Sequence, residues 1–186
     1  MANQTAYVAL GANLGEPVKT VLRAVECLDG ILTGVRVVAR SRVWHTAAHE
    51  LEDFPRPEPS VLRREGRAGG LEGAGAPWYA NGVARLECAA SVTPEALFDA
   101  LMALEAALGR NRLFERRYGP RVIDIDLLMF GHAARNTPRL TLPHPRMLER
   151  PFVLGPLREV LTDEAAPNAL TTRERNSDAP PLNLLF

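Results

Sequence analysis

Lysine is nearly absent from this 186-residue chain: Lys19 is the only one, and arginine supplies the rest of the 22 basic residues. A GC-rich genome explains most of that bias. Its chemical consequence is that the cations are planar forks able to pair with two phosphate or carboxylate oxygens at once. Net charge is absent too, 22 basic residues against 22 acidic, which argues against a general nucleic-acid binder. No apolar run approaches the ~20 residues of a membrane span, so no membrane partner is expected. The N-terminus MANQTAYVALG lacks the basic-then-apolar order of a signal peptide, and a cytoplasmic protein is expected. Cysteine is scarce: Cys27 and Cys88 lie in patterns resembling a helix and a strand interior. Free buried thiols in a reducing compartment are the expectation, with a single disulfide as the alternative. There is no internal repeat and no G-x-x-x-x-G-K-[ST] stretch, so a nucleotide user here falls outside the P-loop class.

What is present reads as a mixed α and β chain. AYVALGANLG gives a short strand, Tyr7 to Leu10, and a turn; GANLG is too weak to read as a phosphate loop. Pro17 suits a helix start, with Val18, Val21, Leu22, Val25 and Leu28 at helical spacing until Gly30. VRVVARSRVWHT predicts a second strand. From about 47 to 77, prolines at 55, 57, 59 and 77 and the lack of any period predict a long mobile loop, an insertion in the domain. WYANGVARLEC predicts a third strand. Thr93-Pro94 opens a helix whose stripe is Leu97, Leu101, Leu104 and Leu108, closed by Gly109. After an arginine loop, RVIDIDLLMFG is the clearest strand, and LTLPHPRMLERPFVLGPLREV predicts a strand or turn leading into one or two short helices. The tail at 163–186 is polar and without period. Strand–helix–strand twice over predicts a ferredoxin-like α+β fold, a three-layer α-β-α sandwich on a mainly antiparallel sheet, forming one domain over 1–162.

Two acids interrupt that last strand. Asp124 and Asp126 alternate with Ile123, Ile125 and Leu127, so they share one face about 7 Å apart. Buried carboxylates need a compensating partner. Spacing alone leaves two open: one or two Mg²⁺ ions, or nearby arginines. Between Arg110 and Arg121 the chain places five arginines against one acid, Glu115. Metal-holding acids beside phosphate-holding arginines are the equipment of phosphoryl transfer. Arg110, after the helix, and Arg121, before the acid strand, have better-fixed positions than Arg112, Arg116 or Arg117. Read singly, Glu105 is a helix-surface acid and His144, between two prolines, a structural loop residue. Tyr79 and Asn81, on one strand face, offer a ring and a carboxamide to a flat heterocycle, or ordinary cross-strand packing.

In this order, YVALGANLG, SRVWHT, WYANGVARLE, LEAALGRNR, YGPRVIDIDLLMFG and LTLPHPRMLERPFVLGPL resemble the 6-hydroxymethyl-7,8-dihydropterin pyrophosphokinases of folate synthesis, from about Ala6 to Val160. The resemblance implies pyrophosphate transfer from ATP to the hydroxymethyl group of a reduced pterin, releasing AMP. It implies two Mg²⁺ ions on Asp124 and Asp126, with Arg110 and Arg121 catalytic. Glu105, Arg110, Arg112, Arg121, Arg139, Thr141, His144 and Arg150 match ATP-site positions. Thr46, Tyr79, Asn81, Tyr118 and Phe152 match the pterin side. The partners implied are these two small molecules and no nucleic acid; a monomer is expected, with a dimer as the alternative.

The chain departs from the family pattern in two places: the segment after Thr46 is longer and lacks the usual prolines there, and the arginine loop is about one residue longer. Three other readings compete. A nucleotide-sugar transferase would use the Asp-x-Asp pair but leaves the arginines unexplained. A ferredoxin-like RNA-binding module fits the arginine loop but not the zero net charge. A catalytically dead paralogue rests only on the altered loop.

Overall fold

The computed structural model describes residues 2–47, 78–111 and 120–162. In chain order these form β1 (Gln4–Ala12), α1 (Pro17–Leu28), β2 (Val35–Arg40), β3 (Trp44–Ala47), β4 (Trp78–Cys88), α2 (Pro94–Ala107), β5 (Asp124–Phe130), the short pair β6 (Arg135–Asn136) and β7 (Thr141–Leu142), and α3 (Pro151–Val160). The main sheet runs β2-β4-β1-β5, with β3 also on β4, and every pairing is antiparallel. Each of α1 and α2 therefore carries the chain over one intervening strand, which is the ferredoxin-like arrangement the sequence pattern predicts.

Strand periodicity sorts the core into two halves. Ala6, Val8, Leu10 and Ala12 of β1 face α1 and α2, together with Ala84 and Leu86 of β4 and Ile125 and Leu127 of β5. Tyr7 and Ala9 face the other way, against Val153, Leu157 and Val160 of α3. A strand apolar on both faces has to lie between two layers, and β1 is the strand flanked by β4 and β5.

Helix α2 begins as its sequence predicts: the Thr93 hydroxyl accepts from Ala96 N at 3.1 Å, and Pro94 occupies the first turn. It ends at Gly109, whose φ of 96° suits a residue without a Cβ. Leu97 and Leu101 are fully buried beneath β5, each contributing about 1.5–3 kcal/mol by area. Among the described residues no helix is long and apolar enough to cross a membrane.

Two expectations need correction. VRVVARSRVWHT forms two strands, because the Ser41 hydroxyl replaces a main-chain acceptor: it takes Val83 N at 2.9 Å. The following Arg42 N leaves the ladder for Glu159 on α3, at 2.8 Å. Cys88 is buried as expected, but Cys27 is exposed, since the buried stripe of α1 is Pro17, Val21, Ala24, Val25 and Leu28. LTLPHPRMLERPFVLGPLREV is, as expected, a strand (β7, paired with β6) leading into one helix, α3. The predicted loop beyond Ala47 and the tail from 163 lie outside the described residues.

Candidate functional site

The two acids of β5 share a face, and it is the α3 face. Ile125 and Leu127 point oppositely into the α1/α2 core, so the register anchors the strand while turning both carboxylates into a cleft. Gly11 of β1 pairs with Asn81 on one side and Asp124 on the other. Asn81 and Asp124 thus stand about 10 Å apart across a strand position with no side chain. A Cβ on Gly11 would come within 2.9 Å of Asn81 Oδ1. The cleft above this floor is lined by Asn81, Asp124, Asp126, Arg150 and Phe152.

Asp124 is held by two arginines. Arg110 Nη1 donates to its Oδ1 and Arg121 Nη1 to its Oδ2, the latter at 2.7 Å. Arg110, with a side chain only 8% exposed, also donates to Glu105 Oε1 at 2.6 Å. Glu105 corrects the surface reading outright: it is 1% exposed and accepts from Ile125 N at 2.6 Å, tying α2 to the strand that carries the acids. Its place four residues after Leu101 puts it in the buried stripe, and Arg110 neutralises it there.

Asp126 has a different environment. Arg150, the residue before α3, donates from Nη1 to Asp126 Oδ2 at 3.2 Å, and His144 Nε2 stands 3.9 Å from the same oxygen. His144 is fixed by its backbone, its N donating to Leu128 O at 2.8 Å. The Arg150 guanidinium carbon also lies 5.8 Å from the centre of the Phe152 ring.

The electrostatics separate the two acids. Burial pushes the Asp124 carboxyl up, but Arg121 and Arg110 outweigh it and hold the group below the usual carboxylate range. Burial and the charge of Asp124 push Asp126 up, and His144 and Arg150 do not offset them. Burial lowers His144 against the opposing pull of Asp126. Asp126 is therefore an acid whose surroundings call for more positive charge than the protein supplies. Two carboxylates on one face are the hard oxygen donors Mg²⁺ prefers. A carboxylate has about four acceptor positions, so Asp124 keeps lone pairs beyond its two arginine bonds. The residues present fit a divalent cation.

The neighbouring half of the cleft is built from β3 and β4. Asn81 Nδ2 donates to Thr46 Oγ1 at 2.6 Å, and both residues are buried. Tyr79, half-buried two residues away on the same face, has its phenol pushed up by burial, with Arg121 and Asp124 close enough to act on it in opposite senses. Trp44 sets the spacing to α3. Its indole N–H donates to Glu159 at 2.9 Å, and a Cβ on Gly155 would meet its ring at 2.8 Å.

One expected residue is engaged elsewhere: Arg139 pairs with Asp99 on α2, its guanidinium carbon 5.7 Å from the Phe98 ring. Thr141 sits in β7, its backbone paired with Asn136 across the hairpin. Arg112, Arg116, Arg117 and Tyr118 lie outside the described residues. Gly11 and Asn13, both in the motif set aside as too weak, belong to this region. The usable signal was a glycine inside a strand, which marks a close approach of ligand or backbone.

Comparison with known proteins bears on this geometry. Residues 7–162 match the family described as 7,8-dihydro-6-hydroxymethylpterin-pyrophosphokinase (HPPK). The chain is 37% identical over 158 residues to the 2-amino-4-hydroxy-6-hydroxymethyldihydropteridine pyrophosphokinase of Methylorubrum extorquens, covering 85% of this chain and 83% of that one. It is 35% identical over 165 residues to the protein of that name from Pseudomonas aeruginosa, covering 89% and 85%. Among solved structures, an HPPK-DHPS protein crystallised with substrates matches with a TM-score of 0.53 at 13% identity, over 86% of this chain and 41% of that one. At that identity the structural match speaks for the fold.

Proposed function

Because the chain belongs to the 7,8-dihydro-6-hydroxymethylpterin-pyrophosphokinase family and is an ATP-dependent pyrophosphokinase of folate biosynthesis, we propose that the cleft between β5 and the start of α3 is its active site. There the hydroxymethyl oxygen of the reduced pterin attacks the β-phosphorus of ATP. The bond between that phosphorus and the oxygen retained by AMP breaks, and the hydroxyl proton passes to water.

The observation that carries this reading is the convergence of Arg110, Arg121 and Arg150 on Glu105, Asp124 and Asp126, three guanidiniums against three carboxylates. Such a balanced set is neutral at rest, and a triphosphate brings more negative charge than a single divalent cation offsets. That supports two Mg²⁺ ions held by Asp124 and Asp126, which supply charge neutralisation along the polyphosphate. Arg110 and Arg121 stabilise the charge that develops as the pyrophosphoryl group moves. Arg150 and His144 hold phosphate oxygens, joined on the ATP side by Arg112 and Thr141, and by Arg139 once it exchanges Asp99 for the nucleotide. Glu105 acts within that side by fixing Arg110. Asn81 and Thr46 read the pterin edge through a carboxamide already oriented by the hydroxyl. Tyr79, Phe152 and Tyr118 supply faces for the ring. Gly11 leaves room for the hydroxymethyl group between Asn81 and Asp124.

Residues 1–162 make one pyrophosphokinase domain in this reading, with 47–77 as an insertion and 163–186 as a tail. A cytoplasmic location fits the exposed free thiol at Cys27. Family membership sets aside the nucleotide-sugar and RNA-binding readings. The test is AMP formation from ATP, Mg²⁺ and 6-hydroxymethyl-7,8-dihydropterin. AMP and pterin diphosphate are expected in equal amounts. A well-folded protein that makes no AMP overturns the reading in favour of a dead paralogue.

A further inference from the structure

The loop that leaves β1 does more than turn the chain. Asn13 is 3% exposed, and its side chain is turned onto the backbone of Arg121. Its Oδ1 accepts from Arg121 N at 2.8 Å, and its own N donates to Arg121 O at 3.2 Å. Both main-chain polar groups of Arg121 are thus bound by one residue 108 positions earlier in the chain. The β1–β5 ladder ends at Gly11 and Asp124, so Arg121 lies beyond the reach of strand pairing. Asn13 holds it where the sheet no longer does. From that fixed backbone the Arg121 guanidinium reaches Asp124 Oδ2 at 2.7 Å.

We propose that Asn13 is a positioning residue for pyrophosphoryl transfer: it clamps the Arg121 backbone so that the guanidinium is aimed at Asp124 before ATP arrives. The proposal rests on the reading of Arg121 as a phosphate-site arginine. Bonds to buried backbone groups are ones the chain needs in any case, so a purely structural Asn13 is the competing explanation. The two differ in what happens when Arg121 is gone. A positioning residue then has nothing left to position, whereas a structural one still matters.

The experiment is a double-mutant cycle on single-turnover AMP formation, with enzyme in excess, ATP, Mg²⁺ and 6-hydroxymethyl-7,8-dihydropterin. Asn13→Ala is expected to slow turnover roughly tenfold, because small misplacements of a catalytic group are expensive. Its KM for the pterin should hardly move. Asn13→Asp keeps the accepting oxygen and should stay within about threefold of the wild type. In an Arg121→Ala background Asn13→Ala should change the rate by less than about twofold. Thermal melting establishes that each protein is folded, and Asn13→Ser, whose shorter side chain cannot reach as far, completes the same cycle if the alanine variant does not fold. An equal loss in both backgrounds overturns the proposal, since Asn13 then acts independently of Arg121. A fully active Asn13→Ala protein beside an impaired Arg121→Ala protein overturns it too, leaving the role of Arg121 standing. A fully active Arg121→Ala protein overturns the reading of Arg121 and the proposal with it.

Discussion

The two halves of the cleft are built to different specifications. On the β5 side, ion pairs join Glu105, Arg110, Asp124 and Arg121 into one chain, most of it sheltered from solvent. On the β3–β4 side Asn81 and Thr46 meet through a neutral hydrogen bond and Trp44 donates to Glu159, beside the Tyr79 ring. The difference follows the chemistry each side faces. A polyphosphate carries charge that must be matched by groups already in place, because reorienting charged groups during reaction is costly. A pterin is flat and mostly neutral, so a slot of the right width and one oriented amide suffice.

The largest effects should come from the acids, and stability should separate them where activity does not. Asp124→Asn and Asp126→Asn are each expected to slow AMP formation by about a thousandfold, given the usual loss on removing a charge-stabilising group. Their melting temperatures should move oppositely. Asp124 is held below the usual range in the folded state, so its ionised form stabilises the fold above the unfolded pKa and that contribution is lost as pH falls. Asp126 is pushed up, so its charged form opposes folding at neutral pH. Asp124→Asn should therefore melt lower than the wild type at pH 7, and Asp126→Asn at or above it. Thermal unfolding of the two proteins at pH 7 measures this, and a shared direction would undo the electrostatic account.

Glu105 comes next. Glu105→Ala removes one of the two carboxylates on Arg110 and the acceptor of Ile125 N, and should lower stability by about 3–5 kcal/mol, the usual result of breaking a buried ion pair. Urea unfolding measures it. A change below about 1 kcal/mol would mean the pair behaves as a surface contact.

The other half should respond differently. Gly11→Ala places a methyl beside Asn81 Oδ1 at the slot floor and should raise the pterin KM by about tenfold. Its affinity for MgATP should be unchanged. Equal losses for both substrates in steady-state kinetics would erase the distinction between the halves.

How much of this the sequence carried depends on whether the signal was local. The bounds of β4, the Thr93 cap, the Gly109 stop and the shared face of Asp124 and Asp126 follow from periodicity and turn chemistry, and they appear as expected. Glu105 was misread although its spacing places it in the buried stripe, because an acid belongs there only if a cation follows. Its cation, Arg110, arrives beyond the helix end. The break at Ser41 was equally hidden: only the structure shows a hydroxyl taking a ladder position. Asn13 and Gly11 owe their places to residues far along the chain, Arg121 and Asn81. Non-local partners of this kind leave no periodic trace.

The smallest expected effect is a control on the sheet. Cys88 ends the strand that carries Tyr79 and Asn81, and burial pushes its thiol up to about 11. Cys27 is exposed on α1. In the native protein one thiol should react promptly with an aromatic disulfide reagent and the second only on unfolding. A Gly11→Ala protein that reacts twice has a loosened sheet, and its kinetics then say nothing about the slot.

The central claim is that Asp124, Asp126 and the converging arginines hold a metal-bound triphosphate. The structure of the protein with Mg²⁺ and a non-hydrolysable ATP analogue tests it most directly. The account predicts two metal ions bound by Asp124 and Asp126, with Arg110 and Arg121 on phosphate oxygens. A nucleotide seated away from β5, or phosphates that reach the arginines with no metal at either aspartate, would contradict it.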